Sequence, residues 1–267
     1  MHITRTGMSV ALAMSPFLGP ILAHAAPLGL GFFGYGAAVH LGPGYDYENF
    51  PPAQLIAPLA DDNFVSGTFL DADYSKEYIL DSSGAFFTVD TATGAVTQIG
   101  TSGLSPSVHL SIAASTGAMY ALTSDENCQS ATLYLVDVTT GAAQLIGSSD
   151  FCIQSIAFDA SGTLYELDTA DGNVVVVANG ISVALGPLGI AAPFNDTSAL
   201  AVDPVTNTLY LFQIETNPDP PEMVAYMIDT TTGAATFAGS IGTAAILAIA
   251  LAPPPSVSDT IFVSGFD

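Results

Sequence analysis

The chain repeats one segment at a fixed spacing, and this repeat constrains the fold more than any other feature. The clearest copy is QSIAFDASGTLYEL at residues 154–167, and related copies begin at Leu110, Ser198 and, in weaker form, Ser66. The turn residues that end the first half of each copy lie 44 positions apart; they are Asp71, Ser115, Asp159 and Asp203. A period of this length in strand-like segments predicts a repeat architecture.

Each unit contains four short strands, which we name a to d. Strand a is small and apolar, strand b contains the pattern x-Tyr-x-Leu, strand c ends in a turn of the type D-x-x-T-G-A, and strand d ends in Ile-Gly or a similar pair. Four-stranded units at this spacing are typical of β-propeller blades. A β-sandwich would not repeat in sequence, and a β-solenoid has a shorter period.

The number of blades follows from two strands that the repeat leaves over. Four complete units run over residues 64–238, preceded by a d-like strand at 53–57 and followed by an a-like strand at 245–251. Together these strands fit a fifth blade made from both ends of the chain. We therefore predict an all-β, five-bladed propeller over residues 27–252. The Gly- and aromatic-rich residues 27–50 are interpreted as a loop with one or two edge strands.

The two ends of the chain predict export. Residues 1–26 contain one charge (Arg5), a short apolar run broken by prolines and a final Ala-His-Ala, as in a secretory signal peptide. The run is too short and broken for a membrane span. Residues 253–267 form a Pro-rich linker and a tail, IFVSGFD; an extra strand or a frayed end is the alternative.

The charge of the chain limits its partners. Without the signal peptide, Lys76 is the single basic residue against 25 acidic residues, a net charge of −24. Such a chain repels nucleic acid and anionic membrane surfaces, so cations or basic proteins are better candidates for binding. The predicted partner is an extracellular protein or glycan. The alternative is that the acidity only keeps a secreted monomer soluble.

The repeat pattern LYxL with DxTTGAAxxIG, behind a signal peptide, resembles uncharacterised secreted bacterial β-propeller repeat proteins. The terminal IFVSGFD resembles the IFxxGF(E/D) tails of secreted proteins in some gammaproteobacteria. These resemblances imply a propeller and secretion. They do not imply an activity, because propellers include lactonases, lyases, phytases, lectins and scaffolds.

The topology separates two ends of the ring. The a–b and c–d turns lie at one end, and their recurring acids are explained as turn residues. The b–c and d–a loops lie at the other end and are irregular, so we predict the binding face there. The predicted ligand-binding residues are Asp125, Glu126, Asp150, Asp168, Asp171, Asp196 and, at the start of a strand a, His109.

Two further features lie on that face. Cys128 and Cys152 are predicted to form a disulfide between neighbouring units, since a redox or metal role would need CxxC spacing or nearby histidine. Closing about 25 residues would contribute roughly 3 kcal/mol. Asp168, Asp171 and Asn173 supply hard oxygens around a tight turn, which suits Ca²⁺. An Asp-Gly hairpin turn without metal is the other interpretation.

The sequence favours binding over catalysis. It contains no G-x-S-x-G, H-E-x-x-H or histidine cluster. The first hypothesis is a secreted non-catalytic propeller that binds an extracellular partner through the acidic b–c/d–a face. The alternative is an extracellular hydrolase or lyase of a carbohydrate or lactone, which would bring acids from different blades together over the central channel.

Overall fold

The computed structural model contains β-strands and no helix among the residues that it describes. These are residues 28–33, 38–42, 54–58, 64–91, 93, 95–104, 109–125, 128–178, 180–190, 198–215, 222–242 and 246–253. Side chains are described from residue 64 onward, except at 109, 241–242 and 246–248. The predicted signal peptide and the tail after residue 253 lie outside this part of the chain. Within it, no helix is long and apolar enough to cross a membrane.

Four antiparallel sheets of four strands follow one another along the chain. Blade 1 contains β4 (Phe64–Leu70), β5 (Asp73–Asp81), β6 (Ala85–Asp90) and β7 (Val96–Thr101). Blade 2 contains β8 (His109–Ser115), β9 (Ala118–Ser124), β10 (Ala131–Val136) and β11 (Ala143–Ser149). Blade 3 contains β12 (Ile153–Phe158), β13 (Leu164–Asp168), β14 (Asn173–Ala178) and β15 (Ile181–Pro187). Blade 4 contains β16 (Ala199–Val202), β17 (Leu209–Glu215), β18 (Glu222–Ile228) and β19 (Ala235–Gly242). The prediction of an all-β propeller is confirmed.

A fifth four-stranded sheet combines strands from both ends of the described chain. Its order is β20 (Ile246–Ala252), β1 (Leu28–Phe33), β2 (Ala38–Gly42) and β3 (Gln54–Pro58). The innermost strands β4, β8, β12, β16 and β20 each contact the next, and β20 contacts β4. The inner strands of neighbouring sheets therefore lie side by side.

Residues 27–50 contain two strands, as interpreted, but the interpretation of these as edge strands is wrong; residues 27, 34–37 and 43–50 lie outside the described part of the chain. β1 pairs with both β20 and β2, and β2 pairs with both β1 and β3, so the two strands lie inside their sheet. Sequence alternation reports which faces of a strand meet water, not how many strands flank it. A Gly-rich segment therefore gives no indication of its place in a sheet.

The hydrophobic core lies between neighbouring blades. On strand b of blade 4, Leu209 and Leu211 pack towards blade 3, whereas Tyr210 and Phe212 pack towards β20. Both faces of each middle strand are therefore covered. This explains why these strands are continuous apolar runs in the sequence.

The recurring acids of the c–d turns are turn residues, as predicted. Asp137 accepts a hydrogen bond from the Thr139 N–H at 2.8 Å, and Gly141, at φ 77°, donates its N–H to the Asp137 carbonyl at 2.6 Å. Asp229 and Gly233 repeat this arrangement in blade 4. The D-x-T-T-G-A pattern thus encodes one turn with a left-handed glycine.

The Ile-Gly end of strand d fits against the T-T-G turn of the following blade. A Cβ added to Gly100 would overlap the carbonyl oxygen of Thr140, and one added to Gly186 would overlap that of Thr232. Gly147 occupies the same position in blade 2, but a Cβ added there would meet none of the described atoms within 4 Å. Blade 3, which follows it, has no T-T-G turn. The motif therefore interlocks particular pairs of blades.

We expect Gly100→Ala to lower the free energy of unfolding by roughly 1–3 kcal/mol, because the added methyl group meets a backbone carbonyl that is held in a turn. Gly147→Ala is the matched control and should change stability by less than about 0.5 kcal/mol. Urea unfolding followed by circular dichroism measures both. Equal effects of the two substitutions would show that the close contact between blades contributes nothing.

Candidate functional site

The inner strands surround a cavity of about 510 Å³ at the a–b end of the ring. Its floor comes from the final residues of the inner strands, among them Ala113, Ala157, Ala201, Ile249 and Ala250. Its mouth comes from the a–b turns. A cavity of this volume is in the range that holds small organic ligands. It lies at the end of the ring opposite to the predicted binding face.

The mouth contains three residues in the left-handed conformation that are not glycine. Asp71 and Ala72, at φ 54° and 58°, form the two-residue loop between β4 and β5, and Asn207 has φ 57°. Two successive residues of positive φ are the geometry of a type I′ hairpin turn, which Asp tolerates better than Ala. Non-glycine residues in this conformation are often found at functional sites.

Hydrogen bonds between neighbouring a–b turns hold the mouth in place. Asp71 Oδ1 accepts the N–H of Gly117 at 2.6 Å, and Asn207 Oδ1 accepts the N–H of Ala160 at 2.7 Å. Each bond joins one blade to the next. The rim of the cavity is therefore built from turns that restrain one another.

A ladder of serines aligns the inner strands beneath the mouth. The hydroxyls of Ser66, Ser111 and Ser155 accept the backbone N–H of the inner strand of the following blade at 2.9, 3.2 and 2.9 Å. These bonds satisfy backbone donors that face away from their own sheets. These three repeated serines thus set the register between blades 1 to 4.

Two residues at the mouth of the cavity, Asp159 and Tyr74, have shifted pKa values. Burial raises the pKa of Asp159, but hydrogen bonds from Ser161 and Thr163 outweigh it and hold the pKa below its usual value. Burial, and then the negative charge of Asp203, raises the pKa of Tyr74. At neutral pH the mouth therefore carries an ionised Asp159 and a protonated Tyr74.

On the face predicted to bind a ligand, Asp125 and Asp150 have different environments. Asp125 accepts hydrogen bonds from the Gln129 N–H at 2.9 Å and the Ser130 hydroxyl at 2.8 Å, so it stabilises its own b–c loop. Asp150 is exposed. Glu126 and Asp196 lie outside the described residues, and His109 begins β8 with its side chain outside them.

The predicted calcium loop is a β-hairpin turn. Asp168 and Asn173 are partners in register at the ends of β13 and β14, and Gly172 has φ 65°. Asp168 is buried, which raises the pKa of its carboxyl, whereas Asp171 is exposed. Among the residues that the structure describes, no group of three His, Cys, Asp or Glu side chains could hold a metal. The calcium site stays a prediction.

The predicted disulfide is confirmed. Cys128 and Cys152 are bonded, with their Cα atoms 4.7 Å apart and 24 positions apart in sequence. The bridge joins the b–c loop of blade 2 to the start of blade 3. It therefore covalently joins two blades at the b–c/d–a end.

Two buried carboxyl groups escaped the sequence analysis. Glu77 is completely buried, and within the described part of the chain neither carboxyl oxygen has a hydrogen-bond partner. Glu166 is 3% exposed and accepts a hydrogen bond from the Ser182 hydroxyl at 3.0 Å. Burial raises the pKa of Glu77 well above its usual value and that of Glu166 to about 7. The sequence did contain a signal for both buried acids. Each lies next to the tyrosine of strand b, at a position where the other blades have apolar residues.

The cavity was also missed, although its sequence signal was present. Blade 1 departs from the template at its a–b turn, where LDADYS brings Ala72 into a left-handed position and Tyr74 to the mouth. Because the turn acids are regularly spaced, they were interpreted as structural residues only. A turn acid can do both, since Asp71 and Asp159 both line the cavity.

Comparison with solved structures supports the propeller fold. The chain is similar to one chain of a nidogen/laminin complex, with a TM-score of 0.52 and 13% identity over 85% of this chain and 98% of that chain. It is also similar to a protein of unknown function from Bacteroides thetaiotaomicron (TM-score 0.48, 14% identity, 82% and 51% of the two chains). A third similarity is to regucalcin, a calcium-binding protein from Agrobacterium tumefaciens (TM-score 0.45, 16% identity, 81% and 74%). At 13% identity the first of these similarities describes the fold alone.

No protein-family model and no curated protein sequence matches the chain. The function must therefore be argued from the geometry of the site.

Proposed function

We propose that this protein is a secreted, non-catalytic binding propeller that holds a small ligand in the cavity at the a–b end. The observation that carries the proposal is the cavity itself, which all five inner strands line. Residues of four a–b turns, interlocked by hydrogen bonds, frame its mouth. A preformed mouth reduces the entropy that a ligand must lose on binding.

The chemistry of the mouth supports binding over turnover. A glycoside hydrolase needs a carboxylic acid that is protonated at working pH. Asp159 has a lowered pKa, and its Oδ1 accepts hydrogen bonds from Ser161 and Thr163. The Oδ1 atom of Asp71 accepts the Gly117 N–H. These carboxylates are placed as fixed negative charges, so the hydrolase or lyase hypothesis is the second choice.

We further propose that the ring has five blades and that the fifth sheet closes it. The contact of β20 with both β16 and β4 supports this number, as does the pairing of β20 with β1. Closure by strands from both ends ties the termini of the domain together. The disulfide is compatible with the oxidising compartment that export would supply.

Crystals soaked in isopropanol, acetonitrile and dimethyl sulfoxide test the binding proposal. We expect these probe molecules to cluster in the a–b cavity. Ala160→Trp should exclude them, because Ala160 is exposed and lines the mouth, while its backbone bond to Asn207 is retained. Ala142→Trp places the same bulk on an exposed turn outside the cavity and is the control.

Clustering on the b–c/d–a loops, with an empty cavity, would contradict the proposal and favour the acidic face predicted from the sequence. The same crystals soaked in millimolar calcium chloride test whether Asp168, Asp171 and Asn173 bind Ca²⁺. Release of nitrophenol from nitrophenyl glycosides, lost in Asp159→Asn, would favour the hydrolase.

A further inference from the structure

We propose that the ligand of this cavity is an organic cation, a quaternary ammonium or a protonated alkyl amine. The carboxylates of Asp71 and Asp159 would balance its charge, and the rings of Phe69, Tyr74 and Phe158 would contact its alkyl groups. This inference rests on the proposed binding function and names the class of ligand. All five residues line the cavity.

The two carboxylates are fixed in position. Asp71 Oδ1 is held by the Gly117 N–H at 2.6 Å, and Asp159 Oδ1 by the N–H groups of Ser161 and Thr163 at 2.9 and 2.8 Å. The bonds to Asp159 keep its pKa below the usual range, so this carboxylate stays ionised across the physiological range. A cation would therefore meet negative charge that needs no rearrangement.

Among the described residues that line the cavity, no positive side chain competes with a bound cation, since none of them is Lys, Arg or His. Lys76 is the basic residue of the described chain; it is exposed and lies opposite Asp90 in the sheet, away from the lining. The formal charge of the full chain is −23, so the field attracts cations and repels anions. The field therefore favours a cationic ligand over an anionic one, and a neutral ligand would gain nothing from it.

Aromatic residues at the mouth add a second attraction. Phe69 and Tyr74 pack edge to face with ring centroids 5.2 Å apart, and Phe158 packs against Tyr120 at 4.9 Å. Rings held in this way present fixed quadrupoles, which attract alkylammonium groups. Carboxylates alone would not distinguish an organic cation from a hydrated metal ion.

The floor suits the apolar part of such a ligand. Ala113, Ala157, Ala201 and Ala250 are buried alanines of four inner strands, and Ile249 adds a larger apolar side chain. Small residues leave space, and apolar walls favour methylene and methyl groups over a hydrated ion. Acidic mouth, aromatic rim and apolar floor therefore match one class of ligand.

Isothermal titration calorimetry of the full-length mature protein with choline and its uncharged isostere 3,3-dimethylbutan-1-ol tests the inference. We expect choline to bind at least tenfold more tightly than the alcohol, and its affinity to fall as salt rises. Asp71→Asn removes the charge but retains the acceptor for Gly117, and Asn tolerates the left-handed backbone. This variant should weaken choline at least fivefold and leave the alcohol unchanged.

Asp137→Asn is the matched control, because it removes one charge from a c–d turn at the same end of the ring but outside the cavity lining. Equal losses in the two variants would attribute the effect to bulk charge and overturn the inference. Equal affinity for choline and the alcohol would refute the cation while the binding function stands. If neither choline nor the alcohol binds, the inference of a cationic ligand is wrong. The proposed binding function is contradicted only if the cavity is also empty in the solvent-soaked crystals.

Discussion

Replacing Glu77 by methionine should stabilise the protein by about 1–3 kcal/mol at pH 7, the usual cost of a buried polar group without a partner. Glu77 is completely buried, and neither carboxyl oxygen has a hydrogen-bond partner among the residues whose side chains are described. The corresponding residues of blades 2, 3 and 4 are Met119, Leu164 and Leu209, all buried. Methionine is an unbranched side chain of similar length, and blade 2 already accommodates it in this position.

The gain should grow as the pH rises. Burial raises the folded-state pKa of Glu77 above its unfolded value, so the folded protein binds the extra proton. The wild type is then most stable below the unfolded pKa and loses stability as the pH rises towards the folded pKa. Methionine cannot titrate and avoids that loss.

Urea unfolding at pH 5 and pH 8 measures this effect. Glu77→Gln is the control, because it keeps the buried polar atoms but cannot ionise; it should reduce the pH dependence and recover less stability than methionine. Loss of stability in Glu77→Met at both pH values would mean that the carboxyl group makes an essential interaction in the folded protein.

Glu166→Gln should reduce the pH dependence of stability between pH 4.5 and 7. Burial raises the pKa of Glu166 to about 7, and the hydrogen bond from Ser182 only partly opposes this rise. Since the unfolded carboxyl titrates near pH 4.5, the folded state retains its proton through this window. Wild-type stability should therefore fall by about 3 kcal/mol as the pH rises through it, at 1.36 kcal/mol for each unit of pKa difference.

The surroundings of Glu166 explain the size of the effect. It alternates on β13 with Leu164 and Asp168, so these three share the face that packs on blade 2, where Leu164 lies in a cluster with Leu122 and Ala131. From blade 2 the titratable group in this cluster is Tyr120. Asp168 is a buried acid on the same strand.

The difference in unfolding free energy between wild type and Glu166→Gln, measured at pH 5, 6, 7 and 8, isolates this residue from Glu77. We expect the difference to shift in favour of the glutamine variant as the pH rises. A constant difference across the series would show that Glu166 titrates normally in the folded protein. Ser182→Ala is the control, because it removes the hydrogen bond and should raise the pKa further.

The general fold could be predicted from the sequence because each propeller blade repeats the same strand and turn patterns. The 44-residue spacing identified the strands, the D-x-x-T-G-A pattern identified the c–d turns, and the cysteines of adjacent blades identified the disulfide. Each depends on contacts between residues close in sequence or one repeat apart. For the same reason the buried Glu77 and Glu166 could have been noticed, since each interrupts an apolar column of the repeat.

The place of the cavity could not be derived in this way. Strand topology assigns each loop to one of the two ends of the ring, but both ends carry acidic residues. The sequence therefore does not indicate at which end a cavity forms. The irregular b–c and d–a loops attracted the prediction, yet Asp125 and Asp168 of that end stabilise or lie buried in their own loops. The same residue types at the other end line an open space.

The sequence by itself therefore determined the β-rich repeat, its four-stranded unit, the turn chemistry and the disulfide, because these are local or strictly periodic interactions. Only the tertiary structure decided that β1 and β2 lie inside a sheet, that a Cβ at Gly100 would overlap Thr140 while one at Gly147 would have open space, and that a cavity opens among the a–b turns. These features depend on how blades meet around a ring. Their distances are set by packing among strands far apart in the chain, which no single repeat encodes.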